Sequence, residues 1–332
     1  MATDPSNLPT LADIEAAAKR IAGQAVLTPL LESPALNRHV GGRVLVKAEP
    51  LQRTGSFKFR GAYNRISQLS DAERKAGVIA FSSGNHAQGV AAAAHLLGAP
   101  ATIVMPDDAP AVKREGTASW GAAIVTYDRR DHDKREVIAA EIMAQKGGTL
   151  IPPFDDAHII AGQGTAGLEL CAQAAALGAK LDAVIVPAGG GGLTAGVATA
   201  VTAKAPGVPI YTAEPAGFDD HARSFVSGNR ESKAADAHSF CDALLAPRPG
   251  ALTFSINRKR CAGGLVVTDE DVAQAMAIAF RDLKLVTEPG GCVALAAVLS
   301  GKLSAEGRTI AVVASGGNVD AALYADVLHG HV

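Results

Sequence analysis

Lys58 stands between two phenylalanines in Ser56-Phe57-Lys58-Phe59-Arg60, in a chain with only nine. Apolar neighbours desolvate an ammonium and favour the neutral amine, the form that condenses with an aldehyde. A solvated lysine on a strand with its phenylalanines inward is the competing reading, and the pentapeptide alone favours it. A second set, Ser82-Ser83-Gly84-Asn85-His86, follows the apolar run Val78–Phe81 and opens a helical stretch. Its backbone amides and hydroxyls suit a carboxylate. His86, at a helix start, reads as a hydrogen-bonding group and is not assigned as a base. A third set is the run Gly189-Gly190-Gly191-Gly192, between an apolar strand and a helix from about Leu193. Residues without Cβ let N–H groups approach an anion, and the helix N-terminus adds partial positive charge. A phosphate is therefore favoured over a merely flexible turn.

Two glycine patterns keep a nucleotide reading open. Gly190-x-Gly192-x-x-Ala195 satisfies the relaxed dinucleotide fingerprint, and Glu214 lies 214 − 190 = 24 residues on, after a strand. Gly162-x-Gly164-x-x-Gly167 is a strict match, with only Ile159-Ile160 as apolar sequence before it. An NAD-dependent oxidoreductase is the alternative from another class. Glu214 and Asp220, six residues apart, also present oxygens of the kind that hard cations take together with backbone carbonyls. Their competing reading is an acidic surface turn.

These groups need elements to hold them. Thr10 with Asp13, and Thr268 with Asp271, have the spacing of helix N-terminal capping pairs. Short apolar runs at 43–47, 78–81, 101–105, 122–126, 183–186, 209–213 and 310–314 read as strands. Helical stretches lie between them, at 87–97 and 166–177, after the glycine run and from 268 to about 283. That alternation predicts parallel βαβ units and an α/β fold. Residues 215–260, rich in polar residues and prolines, read as irregular surface wrapping.

The chain has 332 residues, a length that points to about two domains. Its 31 Lys plus Arg balance 33 Asp plus Glu, which argues against a nucleic-acid binder with a basic stripe. The four cysteines, Cys171, Cys241, Cys261 and Cys292, have no metal-ligand spacing and read as thiols of a reducing compartment. No secretory leader and no membrane span is expected, and the cytoplasm is the expected setting. Glycine is abundant, 35 of 332 residues against a typical ~7%. Glycines stand in the loops around 84, 189–192 and 316–317.

Ser56-Phe57-Lys58-Phe59-Arg60-Gly61-Ala62, Ser83-Gly84-Asn85-His86, the glycine run and Ser315-Gly316-Gly317-Asn318 occur in the order of the fold-type II pyridoxal-phosphate enzymes. From Thr28 to Asn318 the chain resembles their serine/threonine dehydratase and serine racemase group. The resemblance implies two open parallel-sheet α/β domains, tryptophan synthase beta-like. Residues 1–74 with 156–332 would form the large domain, and 75–155 a small mobile domain inserted in it. It implies a Schiff base between Lys58 and pyridoxal 5′-phosphate, with Lys58 as the base at Cα once substrate displaces it. Gly189, Gly190, Gly191, Gly192 and Leu193 would bind the cofactor phosphate, and Phe57 would pack near the ring. Asn85 would bond the phenolic oxygen, and Ser315 would face the pyridine nitrogen. Ser83, Asn85 and His86 would receive the substrate carboxylate.

The activity implied is an ammonia-lyase on serine, threonine or a related β-hydroxy amino acid. A serine racemase or a hydroxyaspartate dehydratase is the alternative within the family. Ser83 bears on that choice: many threonine dehydratases have alanine there, whereas racemases and hydroxyaspartate dehydratases have serine. Ser83 would deliver a proton opposite Lys58 or simply bond the carboxylate. The resemblance also implies a divalent metal, Mg²⁺ or else Ca²⁺ or Mn²⁺, on Glu214, Asp220 and the Phe218 carbonyl. A homodimer is implied as well, and no isoleucine-sensing regulatory domain is expected. Cys241-Asp242-Ala243 and Glu288-Pro289-Gly290-Gly291-Cys292 depart from the family's usual Ala-Asp-Gly and Glu-Pro-x-Gly/Ala-Ala. Arg135 lies where some relatives bind a second substrate carboxylate, but its charged surroundings read as a solvated helix end.

Overall fold

The structure, a computed structural model, describes residues 8–82, 84–109, 111–128 and 134–332, with backbone alone at 112, 134 and 135. The chain starts with α1 (Leu11–Ile21), β1 (Leu30–Glu32), α2 (Pro34–Val40), β2 (Arg43–Ala48) and α3 (Lys58–Ile66). It continues through α4 (Asp71–Ala76), β3 (Val78–Phe81), α5 (Asn85–Leu96), β4 (Ala101–Pro106) and α6 (Ala111–Ala118). Next come β5 (Ala123–Tyr127), α7 (Lys134–Lys146), β6 (Thr149–Leu150), α8 (Ala157–Ala176) and β7 (Ala183–Pro187). After the glycine run follow α9 (Gly192–Lys204), β8 (Ile210–Pro215), α10 (Asp220–Ser227), α11 (Ala251–Arg260) and β9 (Gly263–Val267). The last are α12 (Asp269–Ile278), α13 (Pro289–Leu299), β10 (Thr309–Ala314) and α14 (Ala321–His329).

Two sheets result. One has six strands in the order β1-β2-β10-β7-β8-β9, parallel except for the antiparallel edge pair β1–β2. The other has four strands, β5-β4-β3-β6, all parallel. All four come from residues 78–150, between β2 and β7 of the first sheet. The central strands read as continuous apolar runs because both faces are covered. Val44, Val46, Ile185, Ile310 and Val312 join one core with α12 and α13. Leu45, Val184, Val186, Ala311 and Val313 join a second core with α8 and α9. The α/β expectation from alternating elements is therefore met, and the antiparallel edge strand is the departure from an all-parallel pattern.

The two predicted capping pairs form. Thr10 and Thr268 accept from the N–H groups of Asp13 and Asp271, whose carboxylates accept in return from the threonine N–H groups. Residues 215–260 depart from expectation, because they contain α10 and α11. Helix α11 starts at Gly250, which has no capping side chain, and the missing acceptor comes from far away in sequence. Asp155 accepts from the N–H groups of Ala251, Leu252 and Thr253 at 2.9–3.0 Å. A cap supplied from about a hundred residues upstream leaves no local signal.

The strict match Gly162-x-Gly164-x-x-Gly167 lies inside α8, where it serves helix packing and no nucleotide loop. A Cβ on Gly162 would come within 2.6 Å of the Gly61 Cα on α3, and one on Gly164 within 2.9 Å of the Gly196 carbonyl on α9. The glycine excess thus serves helix crossings as well as loops. Among the described residues, no helix is long and apolar enough to cross a membrane.

Candidate active site

Open α/β sheets bind ligands beyond the carboxyl ends of their strands, where successive connections diverge. From β7 the chain moves to β8 and β9 on one side, then returns to place β10 on the other. The loops after β7 and β10 carry the glycine run and Ser315, and the loop after β3 leads through Gly84 to Asn85. They converge on a cavity of about 180 Å³ that also admits Phe57, Lys58, His86 and Glu288. Phe57, Lys58, Asn85, His86, Gly189 to Gly192, Leu193 and Ser315 therefore share one site. Ser83 and the side chain of Arg135 lie outside the described residues.

Lys58 is the first residue of α3, not a strand residue. The chain before it is fixed to the loop after β10. The Phe57 N–H donates to the Ser315 carbonyl at 3.1 Å, and Ser56 pairs with Gly316 in an isolated antiparallel bridge. The Lys58 Nζ donates to the Pro153 carbonyl at 2.8 Å and lies 5.2 Å from the centre of the Phe57 ring. Burial pulls its ammonium down to about 8, with the Glu288 carboxylate pulling the other way. The amine thus gives up its proton more readily than an exposed lysine, while a value of about 8 still leaves most of it protonated at pH 7.

His86 is buried, and its Nε2 lies 2.8 Å from the Ile151 carbonyl. Burial, reinforced by Lys58, pushes the imidazole down to about 3 against the opposing bond to Ile151. It is therefore neutral, with Nε2–H donating to that carbonyl, and it ties α5 to the segment after β6. Asn85 donates to a Glu288 carboxylate oxygen and accepts from the Asn318 Nδ2 at 2.7 Å. Asn318 also donates to the Thr54 carbonyl at 2.8 Å.

Glu288 stands just before the first turn of α13, is fully buried and, among the described residues, has one carboxylate oxygen without a partner. Burial and Asp242 push its carboxyl up to about 7, opposed by Lys113, Asn85 and Lys58. Lys113 and Asp242 form an ion pair and both line the cavity. Sequence reasoning noted Glu288 and Asp242 only as departures from a motif, and did not single out Pro153, Phe154 or Lys113. The motif positions were a usable signal for the first two. The others reach the site only through tertiary contact.

The glycine run is closely packed. A Cβ on Gly190 would stand 2.3 Å from the Phe154 ring, and one on Gly192 2.9 Å from the Phe154 Cβ. Gly191, at φ +90°, turns the chain into α9. The first N–H groups of α9 have no partner within the helix, so they can meet an anion. The segment Pro153-Phe154-Asp155 thus accepts the bond from Lys58, packs the glycine run and caps α11.

Glu214, Phe218 and Asp220 do not line this cavity. Glu214 is buried, and its two oxygens accept from the N–H groups of His221 and Ala222 at 2.7 and 2.8 Å. That arrangement displaces the ribose-acid reading of Glu214. Burial together with Asp220 raises the Glu214 carboxyl well above its ordinary range. Burial pushes Asp220 up to about 7, and its Oδ2 has no partner among the described residues. Among the described residues, no three or more His, Cys, Asp or Glu gather as a metal-binding group.

Comparison with known proteins agrees with this layout. The pyridoxal-phosphate dependent enzyme family matches residues 21–316. The L-threo-3-hydroxyaspartate ammonia-lyase of Pseudomonas sp is 44% identical over 318 residues, covering 96% of this chain and 98% of that one. The serine racemase of Schizosaccharomyces pombe is 41% identical over 321 residues, covering 97% of this chain and 98% of that one. The crystal structure of a T.th. threonine deaminase superposes with a TM-score of 0.89 at 44% identity, covering 94% of this chain and 99% of that one. The chain belongs to the pyridoxal-phosphate dependent enzymes of fold type II, with the serine/threonine dehydratases and serine racemases.

Proposed function

We propose that the protein is an ammonia-lyase that converts serine, threonine or a related β-hydroxy amino acid to a 2-keto acid and ammonia. The observation that carries this reading is the meeting, in one cavity, of a desolvated Lys58 amine with the N–H-lined start of α9. The names of the relatives support it: an ammonia-lyase and a deaminase act by loss of an amino group. Pyridoxal 5′-phosphate, when bound, supplies an electron sink for charge developing at the α-carbon.

The chain's own residues do the rest. Lys58 would hold the cofactor through its Nζ and, once released, take the α-proton of the substrate. The N–H groups of Gly189 to Gly192 and Leu193 would meet the phosphate. Phe57 would pack near the ring, Ser315 would face the pyridine nitrogen and Asn85 would bond the phenolic oxygen. A hydroxyl at Ser315, in place of a carboxylate, leaves that nitrogen without an anionic partner. Asn85 and His86, with Ser83, would receive the substrate carboxylate, and the neutral His86 leaves proton transfer at the α-carbon to Lys58. The α-proton and β-hydroxyl depart as water, and one water is taken up as nitrogen leaves as ammonia.

Replacing Lys58 by Ala should remove the visible absorption of the bound cofactor and lower turnover on the order of 10³-fold or more. Retained turnover would sink the assignment. A panel of β-hydroxy amino acids scored for keto acid and for D-isomer separates the lyase from a racemase, and places hydroxyaspartate against serine and threonine.

The same reading gives Glu214, Asp220 and the Phe218 carbonyl to one divalent cation, Mg²⁺ or else Ca²⁺ or Mn²⁺. Two buried carboxylates near each other, one with an unpartnered oxygen, suit such an ion. An unchanged melting temperature and activity after chelation would remove the metal from the account. Residues 75–155 are taken as the small mobile domain inserted in the large one of 1–74 and 156–332. The separate four-stranded sheet from that segment supports this division. A cytoplasmic homodimer completes the reading.

A further inference from the structure

An N–H-lined anion site needs its carbonyls turned away from the ligand, since a carbonyl oxygen facing a phosphate repels it. In the glycine run each of the first three carbonyls is bonded from behind. The His221 Nε2 lies 3.1 Å from the Gly189 carbonyl, and the Thr253 hydroxyl donates to the Gly190 carbonyl at 2.6 Å. The Asn257 Nδ2 donates to the Gly191 carbonyl at 3.2 Å. All three side chains are fully buried, and none of them lines the cavity. Thr253 and Asn257 lie four residues apart on α11, hence on one face of that helix. His221 comes from the start of α10, whose N–H groups at 221 and 222 are held by Glu214. The ring is close enough that a Cβ on Gly191 would stand 2.6 Å from its Cε1.

We propose that His221, Thr253 and Asn257 are positioning residues that fix the carbonyls of Gly189, Gly190 and Gly191 outward and so set the affinity of the site for a phosphate-bearing ligand. The inference rests on the reading of the glycine run as the phosphate site, and it assigns that affinity to a layer of side chains that never touches the ligand. The Gly190 and Gly191 carbonyls also accept from the N–H groups of Gly250 at 3.2 Å and Ala195 at 2.9 Å, so Thr253 and Asn257 supply the second of two partners that pin those peptide planes, and His221 the side-chain partner at Gly189. Each bond lost therefore weakens the phosphate end of the site while leaving the ring end and Lys58 in place.

The test titrates the full-length chain, freed of cofactor, with pyridoxal 5′-phosphate and with pyridoxal, which lacks the phosphate, following visible absorption. Thr253→Val keeps the shape and removes the donor, and Asn257→Leu does the same at the next turn. Each should raise the dissociation constant for pyridoxal 5′-phosphate about three- to thirty-fold. Pyridoxal binding should stay within about two-fold, and Thr253→Ser should restore the native value. Equal losses for both ligands, or no loss for either, overturn the inference; a melting curve for each variant identifies one that has merely failed to fold. Should Thr253→Val not fold, Asn257→Leu and Thr253→Ser decide. The two readings fail differently. A native chain that binds both ligands equally removes the phosphate site and the inference together. A native chain that discriminates, with variants that discriminate equally well, removes the inference alone.

Discussion

Two cations two residues apart on α3 have opposite fates. Arg60 is closed in. It donates twice to Glu49 at 2.8 and 2.9 Å and twice to Glu169 at 2.7 Å, with Thr165 at 3.2 Å. Lys47 completes the cluster through Glu169, the Thr28 carbonyl and Gln173. Burial works against the Arg60 guanidinium, but its two carboxylates outweigh that and raise it above its ordinary range. Lys58, on the other side of the same helical turn, has among the described residues a single neutral carbonyl partner, and burial prevails. Burial alone therefore does not mark a reactive group. A buried charge matched by counter-charge is structural, and one left short of partners is free to change state.

The largest effect is expected at Arg60. Arg60→Met leaves Glu49 buried and unpaired and should cost about 3–5 kcal/mol of stability in urea unfolding. A cost below about 1 kcal/mol would mean that the cluster is not the closed network described. Lys58→Met in the cofactor-free chain should go the other way and leave stability unchanged or slightly raised.

Glu288 sharpens the contrast through pH. Its carboxyl is raised in the folded chain from 4.5 to about 7. The folded state then binds more protons than the unfolded one between those values. The contribution is fully present below pH 4.5 and is lost as pH rises through 7. Glu288→Gln should flatten that part of the cofactor-free stability profile. Lys58, lowered from 10.5 to about 8, works in the opposite range: its penalty is full below pH 8 and is relieved as pH rises to 10.5. The smallest effect belongs to a site outside both clusters. Thr268→Ala removes one helix cap and should cost about 1 kcal/mol in the same unfolding assay.

How much of this could be read in the sequence follows from contiguity. Lys58 between its phenylalanines, the glycine run and the Ser315 loop are local patterns, and each lies at the end of a strand or the start of a helix. The central strands were legible for the same reason, because a fully buried strand is a continuous apolar run, whereas β1, β6 and β9, short or only half-buried, were not. Pro153, Phe154, Lys113 and the bonds behind the glycine run were not. Each reaches the site from another part of the chain, and no spacing rule connects Asp155 with the helix it caps. Helix α3 was hidden by its own first residue, since Phe-Lys-Phe alternates like a strand and only the contact with α8 decides otherwise.

The glycine-to-glycine crossings of α3, α8 and α9 also bear on how the sequence can drift. At 61, 162, 164 and 196 even a methyl group would meet backbone or a buried side chain within 2.9 Å. A saturation library at those positions should return glycine alone, while Gly263, whose Cβ would find its nearest neighbour 3.9 Å away, should accept alanine. The helix bearing Lys58 thus rests on positions closed to neutral change, so variation must come to the protein through its surfaces and loops.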